Sequence, residues 1–152
     1  MIEALRPVFH GVFAPFGHTL TLDAAGRRVI PGADLLDRAR FDEIVDAFGA
    51  HHYPGADRRP LVSMWSQWYL GVVLPPVMLA SLIGDHRLPL RLEETALVLN
   101  EDAQPAALLL SHEGEVSSPA DMVDRFEGLV RHHLAPLCEA VATHGGLSPR
   151  VP

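Results

Sequence analysis

The tightest constraint on this chain is a run without charge. From Tyr69 to Ile83 no residue carries a charge, and the pair Pro75-Pro76 sits in its middle. Fifteen residues fall short of the roughly 18 to 20 that a helix needs to cross a bilayer. Two central prolines would also leave backbone groups unpaired in lipid. The wider stretch Met64–Asp85 holds both tryptophans, Trp65 and Trp68, together with Tyr69. It is therefore expected to form the buried spine of a water-soluble domain, a helix broken or kinked at Pro75-Pro76.

The remaining elements are read around that spine. Residues up to Pro15 suggest a short helix or arm, and residues 16–30 a loop with a short strand at Thr19–Leu22. Phe41, Ile44, Val45 and Phe48 fall at i, i+3, i+4 and i+7, the stripe of an amphipathic helix. Asp57 is the expected cap of the central helix, with Pro60 in its first turn. Leu61, Met64, Trp65, Trp68 and Val72 keep helical spacing, and a second helical segment is expected over Pro76–Ile83.

Thr95–Leu99 and Ala106–Leu110 are short apolar runs joined by a polar loop, the pattern of a β-hairpin. Two strands alone are marginal in water, so they must pack on the helices. A last helix is expected to start at Ser118-Pro119, with the serine as cap. Its apolar face would comprise Met122, Phe126, Leu129, Val130, Leu134, Leu137, Cys138 and Val141, with a kink at Pro136 and a stop at Gly145-Gly146. Leu147-Ser148-Pro149-Arg150 resembles the start of one more helix. The fold class predicted is α+β, mainly helical, with a small antiparallel hairpin or sheet on a Pro-kinked central helix.

At 152 residues the chain fits one domain, and a domain of this size buries about 68–70% of its unfolded surface. A formal charge of −7 argues against nucleic acid as a partner. There is no lysine, which excludes Schiff-base chemistry and a Walker-type phosphate site. The single cysteine, Cys138, cannot make an internal disulfide or a four-thiolate cluster site, and it reads as a small core residue. The pairs His51-His52 and His132-His133 diverge on a helix and do not chelate as i, i+4 pairs do. They are expected to be structural or exposed, so no metal site is predicted. No hydrolase, dinucleotide or P-loop motif occurs. No secretory leader is evident, so a cytoplasmic location is expected.

Two arginines, Arg58 and Arg59, stand just before the aromatic cluster Trp65, Trp68 and Tyr69. Guanidinium groups beside aromatic faces suit an anionic, planar or chelated ligand. The competing reading is a solvated helix start over a core of aromatics. Ser66 and Gln67 are polar residues within this apolar helix, and they need partners if buried.

The run L-V-S-M-W-S-Q-W-Y-L-G-V-V-L-P-P-V-M-L-A resembles the hallmark of the FhuF-like ferric-siderophore reductases. Arg58-Arg59 upstream, H-L-A-P-L in the last helix and the tail L-S-P-R-V are similar too. The resemblance implies a fold related to the C-terminal domain of aerobactin-type siderophore synthetases, with helices around a small antiparallel sheet. It implies a [2Fe–2S] cluster held near the C-terminus in a C-C-x₁₀-C-x₂-C arrangement. That cluster would pass an electron to the Fe³⁺ of an imported siderophore. Residues up to Pro152 contain no such motif, so the chain is expected to be a truncated, cluster-less, substrate-side domain with no cofactor of its own. Arg58, Arg59, Trp65, Gln67, Trp68 and Tyr69 are its candidate ligand-binding residues. The implied partners are a ferric siderophore and a cluster-bearing or electron-donor protein, with peripheral contact at the inner membrane and no transmembrane span. The alternative is a siderophore- or partner-binding module inactive in electron transfer. A remnant of a siderophore-assembly enzyme ranks last, because no nucleotide-binding motif is present.

Overall fold

A computed structural model describes residues 2–118 and 121–147. The chain order is two short 3₁₀ turns, β1 (Leu20–Thr21), β2 (Arg28–Pro31), α1 (Arg38–His52), α2 (Arg58–Leu82), β3 (His86–Arg87), β4 (Thr95–Leu99), β5 (Pro105–Leu110), β6 (Glu115–Val116), α3 (Met122–Leu129), a π-helical turn (Val130–Leu134) and α4 (Ala135–Gly145). The class is α+β and mainly helical, as the sequence led us to expect.

The hairpin forms where the apolar runs predicted it. β4 and β5 pair antiparallel, with Leu97 opposite Leu108. The expected strand at Thr19–Leu22 is β1, but it runs parallel to β5, with Leu20 opposite Leu108. β2, read from sequence as loop, pairs antiparallel with β4. The sheet is therefore mixed, in the order β1-β5-β4-β2, and a separate pair joins β3 to β6. The strands Arg28–Pro31 and His86–Arg87 are short and half exposed. Their pairing comes from the partner strand rather than from a local apolar rhythm. Gly32 follows β2 at a close approach, where a Cβ would run into the Leu92 and Thr95 carbonyls.

Helix α1 buries the predicted stripe Phe41, Ile44, Val45 and Phe48. Its cap is Asp37, which accepts from the Arg40 amide at 2.9 Å. Asp57 occupies the cap position of α2 without a side-chain cap bond. The central helix itself departs from expectation. It is one continuous element from Arg58 to Leu82, with Pro75 and Pro76 inside it. Each proline in a helix interior costs about 3 kcal/mol. Val72, Val73, Pro76, Val77 and Ala80 are all buried around the pair, and tertiary packing on both sides of the prolines holds the segment helical.

The last helical region corrects the sequence reading twice. Asp121, not Ser118, caps α3, accepting from the Asp124 amide at 2.8 Å. The turn before Pro136 is π-helical. Proline cannot donate to the carbonyl four residues back and its ring crowds that carbonyl, and a widened turn relieves both. Val130 and Met122 are exposed although spacing placed them on the apolar side. Gly146 ends α4 in the left-handed conformation, with φ at 61°. The helix start expected at Ser148-Pro149 lies outside the described residues. No helix among the described residues is long and apolar enough to cross a membrane.

Candidate functional site

All six candidate residues lie in the N-terminal half of α2, and its orientation decides what each can do. Residues four apart share a helix face, so Trp65 and Tyr69 point together into the core, where both are essentially fully buried. Trp65 meets Phe41 edge-on at a centroid distance of 5.2 Å and stacks on Tyr69 at 5.4 Å. The Trp65 indole Nε1 is buried without a hydrogen-bond partner among the described residues. Gln67 and Trp68 turn the other way. Gln67 is exposed and Trp68 retains 44% of its surface. Sequence spacing had grouped Met64 and Trp68 with the buried stripe. The helix is apolar nearly all round, so periodicity alone could not choose the inner side.

The two arginines part company as well. Arg58 donates to Asp46 Oδ1 at 2.6 Å and to Asp42, tying the start of α2 to α1. These pairs are partly solvated and contribute little stability. Arg59 is exposed, and among the described residues it has no ion pair. The structure thus brings Trp65 and Tyr69 together inside and leaves Arg59, Gln67 and Trp68 on the outer surface. Ser66 finds its partner locally, donating to the Val62 carbonyl at 2.8 Å.

The polar feature that sequence reasoning passed over lies below Tyr69. His133, fully buried at the π turn, approaches Tyr69 Oη through Nε2 at 2.6 Å and the Leu90 carbonyl through Nδ1 at 2.8 Å. A carbonyl only accepts, so Nδ1 carries the proton and Nε2 accepts from the tyrosine hydroxyl. Burial holds His133 below the usual imidazole value, and the Leu90 carbonyl pulls it partly back. Burial and then the neighbouring Cys138 push the Tyr69 hydroxyl well above its ordinary value, so it stays a donor. Burial likewise raises the Cys138 thiol. Leu129, His133, Leu137 and Val141 step by four along the sequence, and that spacing was the available signal for a histidine on an apolar face. Tyr69→Phe is expected to cost about 1–3 kcal/mol by leaving His133 Nε2 without a donor, measurable by urea unfolding.

No group of three or more histidine, cysteine or acidic side chains among the described residues is placed to hold a metal ion. Residues 63–152 match the family described as "Ferric iron reductase FhuF-like transporter". The chain belongs to the FhuF-like family. The match takes in Trp65, Gln67, Trp68, Tyr69 and His133 and leaves Arg58 and Arg59 outside it. The chain is also 28% identical over 96 residues to a protein of Escherichia coli (strain K12) named "Ferric siderophore reductase". That stretch covers 62% of this chain and 37% of the relative, so the FhuF-like chain spans well under half the length of that protein.

Proposed function

We propose that this FhuF-like chain is the substrate-side domain of a siderophore-iron reductase, acting in the cytoplasm. In this reading it holds a ferric siderophore while an electron from outside the chain reduces Fe³⁺ to Fe²⁺, and the weaker ferrous complex releases its metal. The observation that carries it is the family match over residues 63–152, whose N-terminal end is the aromatic turn of α2. The outward residues Arg59, Gln67 and Trp68 supply a cation, an amide and an aromatic face, which suit an anionic chelate. Trp65 and Tyr69 support that surface from the core, and Arg58 anchors the helix start to α1 through Asp42 and Asp46.

A [2Fe–2S] centre of the four-thiolate kind does not fit this chain. It needs four thiolates, and the chain offers only Cys138, whose thiol burial keeps protonated. No electron-transfer step is therefore assigned to residues of this chain. The reading that competes, a binding module without reductive chemistry, uses the same surface and differs only in whether a donor protein engages it.

Tryptophan fluorescence tests the reading. Ferric siderophores of hydroxamate, catecholate and carboxylate type are titrated into dilute protein, each against its iron-free form. Quenching by at least one ferric form is expected, carried by the exposed Trp68. Trp68→Phe should remove most of it, and Arg59→Gln should weaken binding about five-fold, as for loss of one exposed ionic contact. Absence of quenching with all three chelate types would remove the ligand surface from consideration. Reduction of the bound Fe³⁺ on adding a [2Fe–2S] donor protein, against binding alone, separates the two readings.

A further inference from the structure

From Pro60 to Gly84 the chain carries no charged residue, so α2 beyond its first two residues lacks charge on its outer side as well as its inner one. Surface helices of globular proteins ordinarily carry charged and polar residues there. The outer side instead bears Met64, Trp68, Gly71, Pro75, Met78 and Leu82. These follow one another in alternating steps of four and three, the rhythm of a coiled-coil seam. Trp68, Met78 and Leu82 retain 44%, 37% and 48% of their surface. A Cβ built on Gly71 would meet nothing within 4 Å, so the centre of the seam is a shallow, open notch.

We propose that this seam binds the same seam of a second copy of the chain, antiparallel, about a two-fold axis between Gly71 and Pro75. Trp68 then lies opposite Met78 of the copy, Met64 opposite Leu82, and Gly71 opposite Pro75. Each contact occurs twice, as a two-fold interface requires. The large ring meets a flexible thioether side chain, and the small central residues let the helices approach. The charges at the ends agree. Arg59 faces the C-terminal end of the copy's α2, where the Asp85 carboxylate is exposed beside its partner Arg125 at 2.9 Å. Lipid fits this face less well. An interfacial helix depends on basic residues flanking its apolar stripe, and here there are none from 60 to 84 in a chain of formal charge −7. A seam about 27 Å long makes a small interface, under roughly 1,200 Å² in total, so a weak dimer is expected.

Sedimentation velocity on the full chain without ligand tests this. Over a range of about 1 to 200 µM, where weak dimers of this size dissociate, a monomer–dimer equilibrium is expected. Met78→Glu and Leu82→Glu, each at an exposed position, should raise the dissociation constant at least about ten-fold, with circular dichroism and melting temperature unchanged. Trp68→Lys alone should do the same. Trp68→Lys combined with Met78→Glu should regain the dimer, because the ammonium of one copy faces the carboxylate of the other. A chain that stays monomeric throughout, or a dimer indifferent to Met78→Glu and Leu82→Glu, overturns the proposal. Failure of the combined variant to regain the dimer overturns the antiparallel register. Monomeric protein that floats with anionic vesicles assigns the seam to lipid instead. The pairing does not rest on the ligand reading. Trp68 belongs to both surfaces, and ligand-free protein keeps the two tests independent.

Discussion

Trp65→Ala is expected to lower the unfolding free energy by about 3–5 kcal/mol, a large share of the total stability of a domain this size. The side chain is fully buried, edge-on to Phe41 and stacked on Tyr69. Its removal would leave a cavity between α1 and α2, and its indole N–H has no partner to lose among the described residues. The cost is therefore one of transfer and cavity alone. Urea denaturation checks it, with the midpoint falling and the slope unchanged. Trp68→Ala, measured in dilute monomeric protein, should change stability by no more than about 1 kcal/mol. Two tryptophans three residues apart then give opposite results: one is a core residue, the other a surface residue free to meet a ligand or a second copy.

The second large effect is set by pH. His133 titrates below the ordinary imidazole value of 6.5 in the folded protein and near that value when unfolded. As pH falls through 6.5, the unfolded chain takes up a proton that the folded chain does not, so stability falls. The loss levels off once the pH is below the folded-state value, where both states are protonated. No carboxylate is hydrogen-bonded to the ring, whose two nitrogens meet Tyr69 Oη and the Leu90 carbonyl, so the Leu90 carbonyl only partly compensates the buried imidazolium. Denaturation midpoints between pH 7.5 and 5 should reveal the slope, above the range where carboxylates titrate. His133→Leu should flatten it while costing about 2–3 kcal/mol for the stranded tyrosine hydroxyl and carbonyl. Combining it with Tyr69→Phe should recover part of that cost, since the buried hydroxyl goes with its partner. A wild-type slope that persists in His133→Leu would place the titrating group elsewhere.

Local signals were readable where one mechanism ruled. The stripe Phe41, Ile44, Val45 and Phe48 has a charged opposite face, so period and burial agree. The hairpin stands between turn residues and pairs in the expected place. The W-S-Q-W-Y and Pro-Pro run carried the resemblance, and the family match begins at residue 63. Signals failed where two mechanisms competed. Pro136 announced a kink, but a π turn absorbed it, with His133 buried and Val130 exposed. Pro75-Pro76 announced a break, and burial on either side held the helix together.

By itself, the sequence determined the helical spine, the hairpin, the family, and that this chain has one thiol and no four-thiolate site. Those properties depend on residue identity and near-neighbour spacing, which a linear reading preserves. Only the tertiary structure decided which side of the Met64–Asp85 stretch is inside. A helix apolar all round has no preferred side until α1, α4 and the sheet pack against it. That packing placed Trp65 and Tyr69 over His133, left Arg59, Gln67 and Trp68 at the surface, and produced an uncharged seam that nothing among the described residues covers.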